Sequence, residues 1–169
     1  MSKLMNHVVD DALAQLPLGR YLMTAAFDGY RGGMIVHSVQ RCSDDPLLIC
    51  IAAKKGHKID PLIRDSRAFA IGIACEDDKL IARRFAFTDS APIENRDADE
   101  DDPFEAMECL TLQTGAPILP RCSTWFDCEV MRRVDLESDT ELFVGLVQTI
   151  WHQGERVDIE QTPSHELSD

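Results

Sequence analysis

The sequence predicts a mainly β protein in which antiparallel strands close into a Greek-key-like barrel, accompanied by three or four short helices. At least six apolar runs are separated by turn-forming Gly, Asp and Pro residues, and most connections are too short for a helical crossover. The chain of 169 residues is long enough for one domain with a core and too short for two ordinary ones.

The first predicted element is a short helix at 6–16, where apolar residues recur at helical spacing until Pro17. Strand 22–27 follows and ends in the Gly-rich segment 28–33, which is typical of a hairpin turn. The predicted return strand is 34–39.

The middle of the chain is predicted to alternate strands with short helices. The apolar run 47–53 follows a second turn at 43–46, and its lack of polar residues is consistent with a strand buried on both faces. The next predicted elements are, in order, helix 57–64 with Pro61 near its start, strand 68–74 and helix 77–85.

The C-terminal half begins with a predicted acidic loop at 88–105, and helical structure at 104–110 is left open. Strands are then predicted at 124–132 and 141–152, and Gly145 inside the second suggests a bulge.

The predicted organisation is one domain at 1–152 followed by an acidic tail at 153–169, which frays from Gly154 onward. No internal repeat is seen. The sequence contains neither Gly-x-Gly-x-x-Gly nor a Walker-type Lys motif, so neither a Rossmann nor a P-loop nucleotide site is indicated.

The formal net charge is −13, from 17 basic and 30 acidic residues, and it is unevenly distributed. Residues 88–105 carry a charge of −7 and residues 155–169 carry −4, whereas residues 54–67 carry +3. Acidic runs are typical of solvated loops, and these lack the Gly and the ligand order of an EF-hand, so no metal site is predicted. The basic segment is the informative exception in an acidic chain.

The overall charge also bears on partners and location. An acidic chain repels a phosphate backbone, so nucleic acid is not expected as a partner. No apolar run approaches the ~18–20 residues of a membrane helix, and the N-terminus shows no signal peptide. The predicted location is the cytoplasm, without a membrane partner.

The six cysteines form no Cys-x-x-Cys motif, which argues against a zinc knuckle. Free thiols are predicted, with three disulfides as the alternative. Cys50 and Cys75 belong to apolar surroundings and are predicted to be small core residues. Cys42 follows Arg41 and is the best candidate nucleophile, although a catalytic role for it is not favoured.

Several segments, taken in order, carry a resemblance to a known family. They are residues 21–25, Gly-Met-Ile-Val-His-Ser at 33–38, the Ser-Asp-Asp-Pro turn and apolar strand at 43–49, 54–63, Phe-Ala-Ile at 69–71, 80–86, 115–119, 126–130 and 142–147. Together they resemble the flavin reductase-like family over roughly residues 15–152. The resemblance implies an FMN-binding split β-barrel and a homodimer, with FMN as cofactor and NADH or NADPH as co-substrate.

Apart from the resemblance, the chain contains the kinds of groups that binding of FMN requires. A phosphate dianion is bound well by backbone N–H groups at a helix start and by cations, and the basic segment lies just before a predicted helix. A solvated basic loop is the alternative, whereas strand 34–38 is expected to offer backbone amides to the flavin ring. The expected cofactor-binding residues are Met34, Ile35, Val36, His37, Ser38, Ala53, Lys54, Lys55, Gly56, His57 and Lys58, and no catalytic residue is predicted.

The chain also departs from the family pattern. Ile35 replaces a Thr, and His37 stands where a small or amide residue is common. His37 is either a titratable group near the flavin or a barrel histidine bonded to backbone, and His57 either contacts phosphate or caps its helix. Many reductases of the family have Gly-Asp-His before the last strand, and here Thr140, or Glu141 if the alignment shifts by one, falls at the His position.

Three functions remain open from the sequence. The first is a flavin reductase-like oxidoreductase that passes hydride from NAD(P)H to flavin. The second is an FMN-binding protein without nicotinamide chemistry, such as an electron carrier or a flavin reservoir, which the residue at Thr140 favours. The third is a barrel that has lost its flavin and serves as an interaction module.

Overall fold

The structure, a computed structural model, describes residues 2–86 and 102–160. Three helices are α1 (Ser2–Leu13), α2 (Ile59–Ser66) and α3 (Lys79–Arg84). The strands are β1 (Tyr21–Phe27), β2 (Tyr30–Val36), β3 (Ser38–Asp44), β4 (Leu47–Lys54), β5 (Ala68–Ile73), β6 (Leu110–Thr111), β7 (Pro117–Ile118), β8 (Thr124–Asp135), β9 (Thr140–His152) and β10 (Glu155–Asp158). The predicted mainly β, antiparallel fold is confirmed.

One sheet contains most of the strands, in the order β2-β1-β5-β8-β9-β4-β3, and β10 pairs with the end of β9. β2 and β3 lie at opposite edges of this order, yet only His37 separates them in the chain. A single residue spans such a gap only if the sheet curls until its two edges approach, which makes it a barrel with a seam between β2 and β3.

The first hairpin differs from its prediction. The turn is Asp28 and Gly29 alone, with φ of 49° and 80°, as a two-residue type I′ hairpin requires. The predicted turn at 28–33 is therefore too long, and the predicted strand 34–39 is divided at His37 into β2 and β3. Gly33 lies within β2, where a Cβ would be 2.7 Å from the ring of Phe85.

Two apolar clusters fill the structure. The barrel interior contains Phe69 and Phe143, both buried, whose rings meet edge to face at 6.3 Å between centroids. A second cluster forms under α3, where Phe85 packs against Phe104 at 5.0 Å. Trp125 is fully buried there and donates its indole N–H to the Leu119 carbonyl at 2.9 Å.

The segment that follows the acidic run is not helical. Residues 103–106 form a turn, and the helix considered at 104–110 is absent. Asp102 accepts a hydrogen bond from the Phe104 N–H at 3.0 Å and pairs with Arg31 on β2, which holds the turn while Phe104 is buried. Residues 88–101 of the predicted acidic loop lie outside the described residues.

A bulge lies at Gly145, as predicted, but its extra residue is on the neighbouring strand. The extra residue of the nearby bulge is Met131 on β8, whereas Gly145 keeps regular register with β4. A Cβ at Gly145 would lie 2.5 Å from the tip of the Phe69 ring, so close packing requires the glycine.

The fraying predicted from Gly154 is wrong for residues 155–158. Gln153 and Gly154, with φ of 50° and 86°, form a tight turn that returns the chain as β10 along β9. The pairing continues to Ile159, whose N–H donates to the Gln148 carbonyl at 2.9 Å. The rest of the acidic tail, from residue 161, lies outside the described residues.

The helices begin or end a few residues away from their predicted boundaries. Asp78 lies inside the predicted helix 77–85 but is the N-cap of α3, because its carboxylate accepts from the N–H groups of Leu80 and Ile81 at 3.1 and 3.2 Å. The first helix ends at Leu13 rather than at 16, and α2 begins at Ile59 rather than at 57.

All six cysteines are free thiols. Cys75 is exposed and Cys50 half-buried, so the core position predicted for Cys75 is wrong, and Cys122 and Cys128 are the buried ones. Burial raises the pKa of Cys122 to about 12. Cys50 lies on the outer face of β4, whose residues alternate between the core and a half-buried outer side instead of being buried on both faces.

Candidate functional site

A groove of about 570 Å³ opens at the barrel seam. No ladder joins β2 to β3, so the seam leaves space between the ends of β2 and β4 that α3 and the start of β9 enclose. The lining residues are Arg20, Met34, Ile35, Val36, His37, Ser38, Ala52, Lys54, Ala82, Ala86 and Thr140.

The five seam residues expected from the sequence all line this groove. Met34 and Val36 are buried, and His37 and Ser38 are exposed. Ile35 is half-buried, and its N–H already donates to the Phe85 carbonyl at 3.2 Å. A ligand therefore meets an apolar wall at Ile35 in place of both a hydroxyl and a free amide.

His37 is held by the segment that precedes β1. Its ring Nδ1 lies 2.9 Å from the Gly19 carbonyl, and the Gly19 N–H donates to the His37 carbonyl at 3.0 Å. Since a carbonyl only accepts, Nδ1 carries the proton of this bond, and Nε2 is the ring nitrogen left to meet a ligand. His37 is thus the backbone-bonded histidine of the second alternative, and it also lines the groove with Nε2 outside this bond.

In the structure, the lysines of the predicted basic segment lie at different surfaces. Lys54 lines the groove at the end of β4, opposite Thr140 in the register with β9. Lys55 instead forms an ion pair with Asp135 on β8. Ala53 is buried in the barrel core, so its side chain lines neither this groove nor the neighbouring pocket.

The remaining basic residues line a second pocket, of about 380 Å³, which begins at Gly56. Gly56 has φ of 79°, and nothing lies within 4 Å of where a Cβ would be, so its backbone conformation rather than crowding favours glycine. His57 Nδ1 accepts from the Ile59 N–H at 3.2 Å, which caps the start of α2. The lining residues are Gly56, His57, Lys58, Asp60, Pro61, Arg64 and Arg133.

Arg133 forms a fixed wall of this pocket. Its Nε and Nη2 donate to the buried Glu141 carboxylate at 2.5 and 2.7 Å, and Nη2 also donates to Asp60 at 2.9 Å. The guanidinium lies 5.3 Å from the centroid of the Phe143 ring. Burial raises the pKa of Asp60, Arg133 opposes that shift, and the neighbouring Glu141 adds to it.

The sequence pointed to the seam and the basic segment but missed other lining residues. Arg20 lines the groove, and its Nη1 donates to the Glu76 carbonyl at 2.7 Å, a contact between distant parts of the chain. Thr140, noted only as a departure from the family pattern, lines the groove itself. The other residues missed are Ala52, Ala82, Ala86, Asp60, Pro61, Arg64 and Arg133.

Two further findings concern metals and membranes. Within residues 2–86 and 102–160, no group of three or more His, Cys, Asp or Glu side chains is placed to hold a metal ion. Across the same residues, no helix combines the length and apolarity needed to cross a membrane. The cytoplasm stays a prediction from the sequence.

Known proteins similar to this chain share its fold and parts of its sequence. Nitrilotriacetate monooxygenase component B from Mycobacterium thermoresistibile superposes with a TM-score of 0.68 at 21% identity, covering 100% of this chain and 98% of that one. FMN reductase (NADH) RutF of Bradyrhizobium diazoefficiens is 24% identical over 137 residues, covering 81% of this chain and 71% of that protein.

A diflavin flavoprotein A 2 of Synechocystis sp. is 28% identical over 141 residues, which is 83% of this chain. The chain spans only 23% of the length of that relative. The family model described as flavin reductase like domain matches residues 13–160, most of the chain. The chain therefore belongs to the flavin reductase-like family.

Proposed function

We propose that the chain binds FMN in the seam groove and acts as an oxidoreductase that passes hydride from NADH or NADPH to the flavin. The observation that carries this proposal is the groove itself, which has Lys54 at the end of β4 and apolar residues along its walls. A relative that covers most of this chain is named an FMN reductase that uses NADH, which supports the same assignment.

The residues present fit FMN in size and chemistry. The groove volume of about 570 Å³ lies within the range of ~300–1,000 Å³ usual for small-molecule sites. Ile35, Ala52 and Ala82 supply apolar surface for a flat ring, and Lys54 with Lys58 supplies cations for a phosphate. Ala53, Gly56 and His57 stay predictions as cofactor contacts, whereas the pairing of Lys55 with Asp135 leads us to propose that Lys55 does not contact the phosphate.

The protein's part in the reaction is positioning. Bound FMN supplies the chemistry of accepting a hydride from a nicotinamide. The groove walls orient the flat ring and exclude water from one face, while Lys54 and Lys58 hold the phosphate end. His37, through Nε2, is placed to exchange a hydrogen bond with whatever occupies the groove.

The test is to add FMN to purified, flavin-stripped protein and then to add NADH or NADPH. Retention of a flavin absorbance spectrum after gel filtration, followed by rapid nicotinamide oxidation in the presence of excess FMN, is the expected result. A colourless protein that fails to retain FMN would support the interaction-module alternative and reject the proposal.

The second candidate is an FMN carrier or reservoir without nicotinamide chemistry, and Thr140 is the observation that favours it. Thr140 lies in the groove, and by the resemblance it, or Glu141 if the alignment shifts by one, takes the position where many family reductases carry a histidine. A hydroxyl cannot supply the second ring nitrogen or the charge of an imidazole. A protein that stays yellow but oxidises NADH only slowly would support this candidate.

Thr140→His is expected to raise the rate of NADH oxidation at saturating FMN by about tenfold, the effect of about one added hydrogen bond to the nicotinamide. The FMN dissociation constant is expected to stay unchanged. Stopped-flow absorbance measures the rate, and Thr140→Asn is the control that adds polarity without an imidazole. An unchanged rate in Thr140→His would mean that the missing imidazole does not limit this protein.

We also propose that the chain is a homodimer that buries the outer face of β4 and β9. Along β9 the residues alternate, with one set in the core and the other half-buried and apolar at Leu142, Val144 and Leu146. These residues lie beside Ala52 and Cys50 on β4, next to the groove. Sedimentation equilibrium of the full chain tests the proposal, and a monomer at micromolar concentration would contradict it.

A further inference from the structure

The second pocket begins where the seam groove ends. Lys54, the last residue of β4, lines the groove, and Gly56, two residues later, lines the pocket. Lys58 lines the pocket as well, so the place proposed for the phosphate lies at the boundary between the two cavities. The affinity for a phosphate there depends on how the two lysines are held relative to each other.

Arg133 joins three elements beside this boundary. From β8 its Nε and Nη2 donate to the Glu141 carboxylate on β9, at 2.5 and 2.7 Å, and Nη2 also donates to Asp60 on α2 at 2.9 Å. The guanidinium lies 5.3 Å from the centroid of the Phe143 ring. One side chain therefore ties the helix that follows the basic segment to the pair of strands β8 and β9.

Glu141 is the end of this contact on the groove side. Its side chain is only 4% exposed, and a buried carboxylate is costly unless it is paired, so the contact with Arg133 is strongly favoured. The preceding residue, Thr140, lines the groove and lies opposite Lys54 in the register of β9 with β4. The contact therefore fixes the part of β9 against which Lys54 is placed.

Asp60 is the other end of the contact, in the first turn of α2. Its carboxylate also accepts a hydrogen bond from the Gly56 N–H, and its own N–H donates to the His57 carbonyl at 3.0 Å. Lys58 lies within the turn that these bonds close. Through Asp60, the guanidinium of Arg133 therefore holds the turn that carries Lys58.

The charges of this cluster argue against direct binding of the phosphate by Arg133. One guanidinium faces two carboxylates, Asp60 and Glu141, so the cluster as a whole is negative and repels an anion. The same contacts reach towards Lys54 on one side and Lys58 on the other. The cluster is therefore suited to set the separation of the two lysines.

We propose that Arg133 is a positioning residue for the flavin phosphate, which fixes Lys54 and Lys58 through Glu141 and Asp60 and so favours FMN over riboflavin, the flavin without a phosphate. The inference rests on the proposed binding of FMN in the groove. It makes a prediction of unusual sign. Loss of the Asp60 carboxylate should weaken binding of the phosphate, although the removal of a negative charge would by itself strengthen it.

Titration of flavin fluorescence with the full chain, with FMN and riboflavin in parallel, tests this sign. Asp60→Ala is expected to raise the dissociation constant for FMN about tenfold and to change that for riboflavin by less than about twofold, because only FMN uses Lys58. The matched control is Asp65→Ala, which removes the same charge from the same helix at a residue that lines neither cavity. Its dissociation constant for FMN should stay the same or fall slightly.

A second variant tests whether Asp60 acts through Arg133. Arg133→Lys keeps the charge but cannot reproduce the fork that serves both carboxylates, so it is expected to raise the FMN constant by a similar factor. In the double variant with Asp60→Ala the two effects should overlap, since both break the same contact. Effects that multiply would overturn the inference, because Asp60 would then act independently of Arg133.

An FMN constant that falls or stays unchanged in Asp60→Ala would overturn the inference, because Asp60 would then matter only as a negative charge or not at all. Equal losses for FMN and riboflavin would also overturn it, since the contact would then support the groove in general. Wild-type protein that binds both flavins equally would overturn the inference and leave flavin binding standing. Wild-type protein that binds neither flavin would reject the proposed function as well.

Discussion

Replacing Lys54 and Lys58 together with alanine is expected to raise the dissociation constant for FMN by at least about a hundredfold. A hydrogen bond to a charged group contributes about 1.5–3 kcal/mol, and each 1.4 kcal/mol corresponds to about tenfold in affinity. Lys54 lines the groove and Lys58 the adjoining pocket, so the two residues flank the place proposed for the phosphate. Equilibrium dialysis or fluorescence titration with FMN measures the change.

The control for this experiment is the double variant Lys55→Ala and Lys79→Ala, which removes the same number of charges. Lys55 is paired with Asp135, and neither lysine lines the groove or the pocket. FMN binding is expected to weaken by less than about threefold, through the smaller screened effect of net charge. Comparable losses in the two double variants would show that the basic segment acts only through its overall charge.

This comparison also shows what the sequence could not resolve within the basic segment. Lys54, Lys55 and Lys58 have the same chemistry, and composition alone favours all of them as phosphate contacts. The structure turns Lys55 towards β8, because β4 ends at Lys54 and the following turn is joined to Asp139 through the Lys55 N–H. That orientation depends on a strand pairing between residues far apart in the chain.

The position of the barrel seam is likewise a feature that the sequence alone could not predict. Short-range patterns located most strands correctly, because alternation and turn residues are local properties. They predict a single strand across the end of β2 and the start of β3, because no residue around His37 signals that the chain passes there from one edge of the sheet to the other. The closure of a sheet on itself is decided by all its pairings together, and the groove exists only because of that closure.

The residues that line the two cavities also differ in whether short-range sequence patterns could predict them. The seam residues were predictable because they form one continuous segment with a recognisable pattern. Arg64 and Arg133 were not, because they come from a helix and a distant strand and meet only through Asp60 and Glu141. The mixed charge of the second pocket is therefore a property of the fold rather than of any single motif.

Gly145→Ala is expected to destabilise the fold by about 3 kcal/mol, at the upper end of the overpacking range, and to lower Tm by roughly 10 °C. The added Cβ would lie 2.5 Å from the tip of the Phe69 ring and 2.8 Å from the Cβ of Cys128. Both neighbours are fully buried, and a Cβ atom moves only with its backbone, so little room is available for relaxation. Differential scanning calorimetry measures Tm, and urea titration measures the free energy of unfolding.

The matched control is Gly154→Ala, the same chemical change at a turn where nothing lies within 4 Å of the added Cβ. Its φ of 86° still favours glycine, so a loss of only about 1 kcal/mol is expected there.

A double variant identifies the cause of the loss at Gly145. Phe69→Leu removes the ring atom that the new Cβ would meet, so Gly145→Ala with Phe69→Leu should be more stable than the sum of the two single losses predicts. Strict additivity would mean that the damage comes from Cys128 and the adjoining backbone, and that Phe69 is not the side chain that requires glycine. Positive coupling would instead show that β9 carries glycine here because the ring of Phe69 fills the space above it, in the strand that also positions Thr140 and Glu141 at the site.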